Sequence, residues 1–331
     1  MKIAILYNLD KTSTLDEYSG EIKEISKYAK LHNHKIILCQ LDNSGISAVK
    51  RQLTKLSKEA DIIFNLAEFL ENYDSTVEWK IAKMMSDLGM IYTGADWTCL
   101  KTTINKPLMK KMILDAKIPS PKFQIFKSVN QKLKILYPVI VKAAYENASY
   151  GIFQDSVAEN EQQLKKCVTR ILKDFKQPAL VEEYIDGLEF QVGIINKEPK
   201  LMISQVKFNL PKGANQILTF DGKWNEGTVD YNKTKSIIPD DLSPALRKKL
   251  CSIAKQTHKL FNSPDYSRVD FRVRNNKPYV LELNANHSID PESVGFNRRL
   301  STANLKYADF IEKVINLATN RLKQNKKQNK K

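Results

Sequence analysis

The chain has 331 residues, 42% of them apolar and 27% charged, with a formal net charge of +16. That allows two or three domains with a substantial core, yet no apolar run nears the roughly 20 residues a membrane span needs. Cys39, Cys99, Cys167 and Cys251 are scattered with no C-x-x-C, which excludes a zinc or disulfide framework and reads as reduced core thiols of a cytoplasmic protein.

The opening MKIAILYNLDK turns polar too soon for a signal peptide. The positive surplus first points to nucleic acid. Six of those charges, however, fall in RLKQNKKQNKK (321–331), which reads as a disordered basic tail. The rest are spread over helices, and no nucleic-acid motif appears, so no nucleic-acid partner is expected.

In chain order, KIAILY (2–7) is an apolar strand, and no G-x-G-x-x-G follows it. EYSGEIKEISKYAKLHN (17–33) has helical spacing at Ile22, Ile25, Tyr28 and Ala29. KIILCQL (35–41) reads as a strand, SGISAVKRQLTKLSKEA (44–60) as a helix and DIIFNLA (61–67) as a strand. STVEWKIAKMMSDLG (75–89) opens with Ser75 and Glu78 as a capping box and stops at Gly89. Strands alternating with helices predict a parallel, doubly wound sheet over 1–96.

A helix follows at NKPLMKKMILDAK (105–117), ended by Pro119 and Pro121. Strands YPVIVKA (137–143) and ALVEEYI (179–185) flank a helix rich in Lys and Leu. Strands EFQVGII (189–195) and KLMISQVKF (200–208) come next, then a helix from Ser243 with Pro244 in its first turn. The last helix runs through YADFIEKVINLA (307–318). His32, His34, His258 and His287 read as surface residues.

The densest chemistry lies between these last two helices. SRVDFRV (267–273) and YVLELNA (279–285) read as two strands joined at NNKP (275–278). Arg268 and Asp270 share one strand face, and Glu282 and Asn284 share another. Antiparallel pairing can bring three oxygen ligands and one guanidinium to one spot, a set that suits Mg²⁺ with nucleotide phosphates. The same alternation also fits a half-exposed hairpin with its charges on the wet side. Lys106 stands near a helix start. Lys142 closes a strand too apolar to end in an unpaired charge. Each is a compact cation suited to phosphate oxygens.

R-x-D followed by E-x-N resembles the metal end of ATP-grasp enzymes, in particular the D-alanine–D-alanine ligase branch. GMIYTGAD with INKPLMKKMILDAKIPSP, YPVIVKAAYENASYGI and ALVEEYIDGLEFQVGII resemble that family's other segments, in order, from Lys2 to Ala318. The resemblance implies an N-terminal parallel α/β (pre-ATP-grasp) domain over 1–96 on the substrate side. It further implies a two-lobed α+β ATP-grasp fold, with a central lobe over 97–187 and a C-terminal lobe carrying the metal site over 188–320.

Site roles follow from the same resemblance. Lys106 and Lys142 contact the phosphates. The ENASYG loop (146–151), with Ser149, covers them with backbone N–H groups. Glu182, Glu183 and Ile185 read the adenine, and Glu189 binds the ribose. Asp270, Glu282 and Asn284 hold Mg²⁺, or Mn²⁺ in its place, as two ions. Arg268 stabilises the transferred phosphoryl group and the later oxyanion.

The substrate half departs from the pattern. Ser293, Tyr231 and Lys233 match substrate positions, but Lys235 stands where a tyrosine is expected, and Ala148 where a serine is. The oxyanion glycine falls at Ser288. Asp10, Asp16 and Glu17 replace a missing acid without aligning to it, and AEFLENYDS (67–75) replaces a glycine-rich turn. Asp290 and Glu292 beside Ser293 would suit a substrate with a second amine. The implied activity is ATP-dependent amide formation between small amino acids through an acyl phosphate, with a homodimer as the family's usual assembly. A ligase for other amino acids or a peptide is the near alternative, and a nucleotide-binding protein without turnover is the alternative of another class.

Overall fold

β1 (Lys2–Tyr7), α1 (Ser19–Leu31), β2 (Lys35–Gln40), α2 (Ile46–Glu59) and β3 (Ile62–Asn65) form a parallel sheet of order β2-β1-β3 with its crossover helices. This is a computed structural model, and it describes residues 1–331 apart from 9–18, 43, 69–76, 199, 292–293 and 329–331. β1 reads as a continuous apolar run because both its faces are covered. Ala4 and Leu6 pack toward α2, while Ile3 and Ile5 pack toward α1. α3 (Val77–Asp87) ends before Gly89, whose φ of 66° is the left-handed value that stops a helix cheaply only at glycine. Ser75 lies outside the described residues. Glu78 gives its carboxylate to the Asn286 side chain at 2.6 Å, a tertiary contact that the capping-box expectation did not include.

Two helices lead out of this sheet. α4 (Trp97–Ile104) is capped by Asp96, which accepts from the Thr98 and Cys99 N–H groups. α5 (Lys106–Asp115) is capped by Asn105, with Pro107 in its first turn. β4 (Phe123–Phe126), β5 (Val139–Ala143), β6 (Val157–Ala158) and β7 (Ala179–Glu183) then make an antiparallel sheet of order β4-β7-β5-β6, backed by α6 (Glu161–Asp174). Its core, which includes Phe126, Val141, Leu164, Val168 and Val181, closes on itself.

The third sheet has order β10-β9-β8-β11-β12. It holds β8 (Leu188–Ile195), β9 (Met202–Phe208), β10 (Thr234–Ile237), β11 (Tyr266–Arg274) and β12 (Lys277–Asn284). α7 (Phe220–Trp224) and α8 (Val229–Lys233) precede β10, and α9 (Pro244–Leu260) follows it behind a Ser243 cap. The β11–β12 turn is two residues, not the four of NNKP. Asn275 and Asn276 take φ of 51° and 57°, the left-handed pair that a tight hairpin needs, so pairing reaches Arg274 and Lys277. One core joins Leu6 and Leu53 of the first sheet's side to Val192, Phe271 and Leu283 of the third.

α10 (Val294–Thr302) and α11 (Tyr307–Gln328) complete the chain. The expectation of a disordered tail from 321 is corrected as far as Gln328. Lys, Gln, Arg and Leu are good helix formers, and no breaker interrupts them.

Candidate active site

The hairpin sets the geometry. Arg268 lies opposite Asn284 and Asp270 opposite Glu282, with a bulge immediately after Asp270. Arg268 grips Asp270 with two bonds, Nε to Oδ1 at 2.7 Å and Nη2 to Oδ2 at 2.8 Å. Asn284 Nδ2 donates to Asp270 Oδ2 at 3.0 Å. From α5, Lys106 Nζ reaches Glu282 Oε2 at 2.6 Å. Burial alone would raise the Glu282 carboxyl, but Lys106, Lys142 and Arg268 hold it far below the usual carboxylate range.

The facing wall comes from the second sheet. Lys142 on β5 binds Glu182 Oε2 at 2.8 Å, and Lys110 on α5 binds Glu182 Oε1 at 2.7 Å. Lys110 is 1% exposed and also donates to Ser120 Oγ and the Val280 carbonyl. Burial lowers the Lys110 ammonium. Burial opposes charge on Lys142 too, but Glu182 and Glu282 raise it overall. Both Glu182 oxygens thus face lysines, which makes this carboxylate a counter-ion that sets the position of Lys142. Lys110 was not anticipated. Its signal is the spacing of four from Lys106, which puts both on one face of α5.

Past β7 the chain turns at Gly187. A Cβ there would meet the Val273 carbonyl oxygen at 2.1 Å, so only glycine fits. Glu183 pairs with Arg274 at 2.8 Å, and Ile185 is buried. Glu189 pairs with Arg272 at 2.9 Å, and Arg272 also donates to the Gly187 and Gln216 carbonyls. Burial raises the Glu189 carboxyl despite this pairing. The 146–151 loop folds over the opening, with Ala148 and Ser149 at φ of 57° and 62°. Trp224 Nε1 donates to the Ala148 carbonyl at 3.0 Å, and Tyr150 meets Phe220 edge to face. The anticipated phosphate, adenine, ribose, metal and catalytic residues all line this one cleft, whose space, counted to its open mouth, is about 960 Å³.

Tyr231 and Lys233 are not among its lining residues. They lie on α8, where Tyr231 donates to Glu226 at 3.0 Å and Lys233 is exposed. Lys223, ten residues upstream in TFDGKW, lines the cleft instead. Burial and the nearby Arg268 push it down to about 8. The lysine beside an aromatic was its available signal. Ser293, Glu292, Asp10, Asp16 and Glu17 lie outside the described residues. Two histidines expected at the surface are buried. His258 bonds Ser267 Oγ at 2.8 Å, and His287 packs edge to face on Tyr266. Their lysine-rich or loop neighbours in sequence concealed the apolar side of each position. All four cysteines are free thiols, three of them buried.

The donor set fits a hard cation. Among the described residues no group of three or more His, Cys, Asp or Glu is arranged to hold a metal ion by itself. Asp270 and Glu282 bring two carboxylates, and Asn284, whose Nδ2 is taken by Asp270, keeps its carbonyl oxygen free to coordinate. Mg²⁺ is commonly held by one or two carboxylates with phosphate oxygens and water completing its shell.

Comparison with known proteins agrees with this geometry. The family model described as D-ala D-ala ligase C-terminus matches residues 103–316. The chain is 28% identical over 293 residues to the uncharacterized protein y4sG of Sinorhizobium fredii, covering 87% of this chain and 84% of that one. It is 25% identical over 291 residues to the D-alanine–D-alanine ligase of Carboxydothermus hydrogenoformans, covering 82% and 88%. In fold it is similar to the Bacillus anthracis D-alanine–D-alanine ligase crystallised with ATP, with a TM-score of 0.75 at 16% identity over 98% of this chain and 99% of that one. The chain therefore belongs to the D-alanine–D-alanine ligase family of ATP-grasp enzymes.

Proposed function

We propose that the protein is a ligase that joins the carboxylate of one small amino acid to the amine of another in an ATP-dependent reaction. The observation that carries this reading is the convergence of Lys106 and Lys142 with the Arg268–Asp270 and Glu282–Asn284 set in one cleft between two antiparallel sheets. Lys106 and Lys142 hold phosphate oxygens. Lys223 approaches from the α7 side, and the 146–151 backbone covers the phosphates from above. Mg²⁺ or Mn²⁺, as two ions on Asp270, Glu282 and Asn284, would neutralise phosphate charge.

A substrate carboxylate oxygen attacks the terminal phosphorus, and ADP leaves with the electrons of the broken P–O bond. The amine of the second substrate attacks the resulting acyl phosphate and loses a proton. The tetrahedral intermediate then expels inorganic phosphate as the amide closes. Arg268 stabilises the phosphoryl group first and the oxyanion afterwards. No protein nucleophile is required, so the side chains contribute position and field.

The test is phosphate release and product mass with ATP, Mg²⁺ and pairs of D- and L-amino acids. Release that requires both substrates is expected, and no release with any pair would overturn the reading. A ligase for other amino acids or a peptide is the second reading. It is favoured by Ala148, which offers the lid no hydroxyl. A homodimer in the cytoplasm goes with either reading, to be checked by sedimentation and cell fractionation.

A further inference from the structure

We propose that one of the two substrates carries a second ammonium group, seated in a small acid-lined cavity beside the catalytic hairpin; this rests on the ligase reading above. Tyr266 lies on β11 two residues before Arg268, one ladder step or about 7 Å along that strand, and Asn286 lies in the turn that directly follows β12. They open onto a small cavity of about 20 Å³, room for a single water-sized group. A substrate reacting at the hairpin can therefore reach it with a short side chain.

Hydrogen-bond acceptors dominate this cavity. Glu21, Glu68 and Glu78 bring three carboxylates to it, and among the described lining residues there is no Lys or Arg. Asn286 has both ends of its amide engaged, accepting from the Ala95 N–H at 2.8 Å and donating to Glu78 at 2.6 Å.

His287 supplies an independent observation. It is 5% exposed, and its Nδ1 lies 2.8 Å from the Ser288 carbonyl oxygen, which can only accept. The proton therefore sits on Nδ1, and burial with Arg299 and Arg268 nearby keeps the ring neutral. Nε2 is left as a bare lone pair with no hydrogen-bond partner among the described residues. A buried acceptor beside carboxylates calls for a cationic donor, and an ammonium offers three N–H groups and a charge.

The charge balance points the same way. Burial, with Glu68 beside it, pushes Glu78 up to about 8 despite its bond from Asn286. Glu68 is exposed and stands beside Glu78, within the field of Lys223 on the cleft side. Glu78 would be stabilised by a cation, and among the described lining residues there is none. The acceptor's α-amine must arrive uncharged at the acyl carbon, so it cannot remain here as an ammonium. That leaves the α-ammonium of the carboxylate donor as the competing occupant, which the Glu78→Gln comparison separates.

The experiment compares lysine, ornithine and 2,3-diaminopropionate with norleucine, norvaline and 2-aminobutyrate, each as D and L forms. Two readouts are taken, phosphate release with ATP and Mg²⁺, and calorimetric binding in the presence of a non-hydrolysable ATP analogue. The diamino acids should exceed their neutral counterparts by about tenfold or more in both. Glu78→Gln, and separately the more exposed Glu68→Gln, should bring the two sets close together. Equal use of neutral and diamino acids by the wild type would overturn the inference while leaving the ligase reading intact. An equal loss for both sets in Glu78→Gln would also overturn it, because the acids would then serve an α-ammonium. Diamino-selective binding with no phosphate release from any pair would keep the site and remove the ligase reading.

Discussion

Asp270 and Glu282 each already face a protein cation, Arg268 and Lys106, before any ligand arrives. Asp270→Asn and Glu282→Gln keep shape and remove charge. Each should cut turnover by about a hundredfold or more at saturating Mg²⁺, with the melting temperature near that of the wild type. Wild-type phosphate release from either variant would remove the metal assignment. Lys142→Ala should weaken binding of an ATP analogue by about 1.5–3 kcal/mol, read by titration, and equal affinities would make Lys142 a strand-end lysine only. His258 gives a pH effect. Burial lowers it to about 4, against about 6.5 in the unfolded chain. Between those values the unfolded state binds more protons, so stability falls as pH drops from 6.5 toward 4, by up to about 3 kcal/mol. In His258→Gln that part of the acid loss should vanish from denaturant titrations, and an unchanged acid limb would refute the assignment. The ladder residues were legible because a period of two places them by itself. Lys110, Arg272 and His258 were not, because a lone cation or imidazole declares its burial only through partners distant in sequence, such as Glu182 and Glu189.

An arginine fastens α11 to the 92–94 segment. Its Arg321 donates to the carbonyls of Tyr92 and Gly94 and pairs with Asp265 at 3.3 Å. Burial pushes Asp265 up to about 7 even though Arg321 and the Gly94 N–H both stabilise its charge. The dispensable segment therefore begins after this residue. Deleting 323–331 should leave turnover and melting temperature unchanged, whereas Arg321→Ala should cost about 1–3 kcal/mol in chemical denaturation. Equal stability of Arg321→Ala and the wild type would show that the contact contributes nothing. Elements with a full period of their own were legible, among them β1, α2 and the β11–β12 hairpin. β4, β6, α7 and α8 span two to five residues, too few to display any period, and β10 with four is no better. α4 depends on its Asp96 cap more than on an apolar stripe, and a cap is visible only when the helix after it is.

Across the whole molecule, the cores divide the chain differently from its sequence order. Residues of the first and third sheets share two cores, while the β4-β7-β5-β6 sheet and α6 keep their own apart from Ile140 and Val157, which pack with Ile217. We expect 1–96 and 188–320 to behave as one body, with the second sheet as a separate unit hinged over the nucleotide. Adding an ATP analogue should slow amide exchange in β5, β7 and the 146–151 loop, and leave β1 and β3 little changed. Uniform protection over the whole chain would indicate a single rigid body.

The lysine–carboxylate pairs across the cleft have a thermodynamic consequence. A triphosphate that draws Lys106 off Glu282 leaves a bare carboxylate where a divalent cation would sit, and a cation already there frees Lys106 for phosphate. The protein's own ion pair is thus a competitor that each ligand displaces on behalf of the other. Linkage makes the benefit reciprocal, so Mg²⁺ must raise nucleotide affinity by the same factor by which nucleotide raises Mg²⁺ affinity. Lys106→Met would remove the competitor from this exchange and shrink that shared factor, turning an obligatory partnership into two nearly independent binding events.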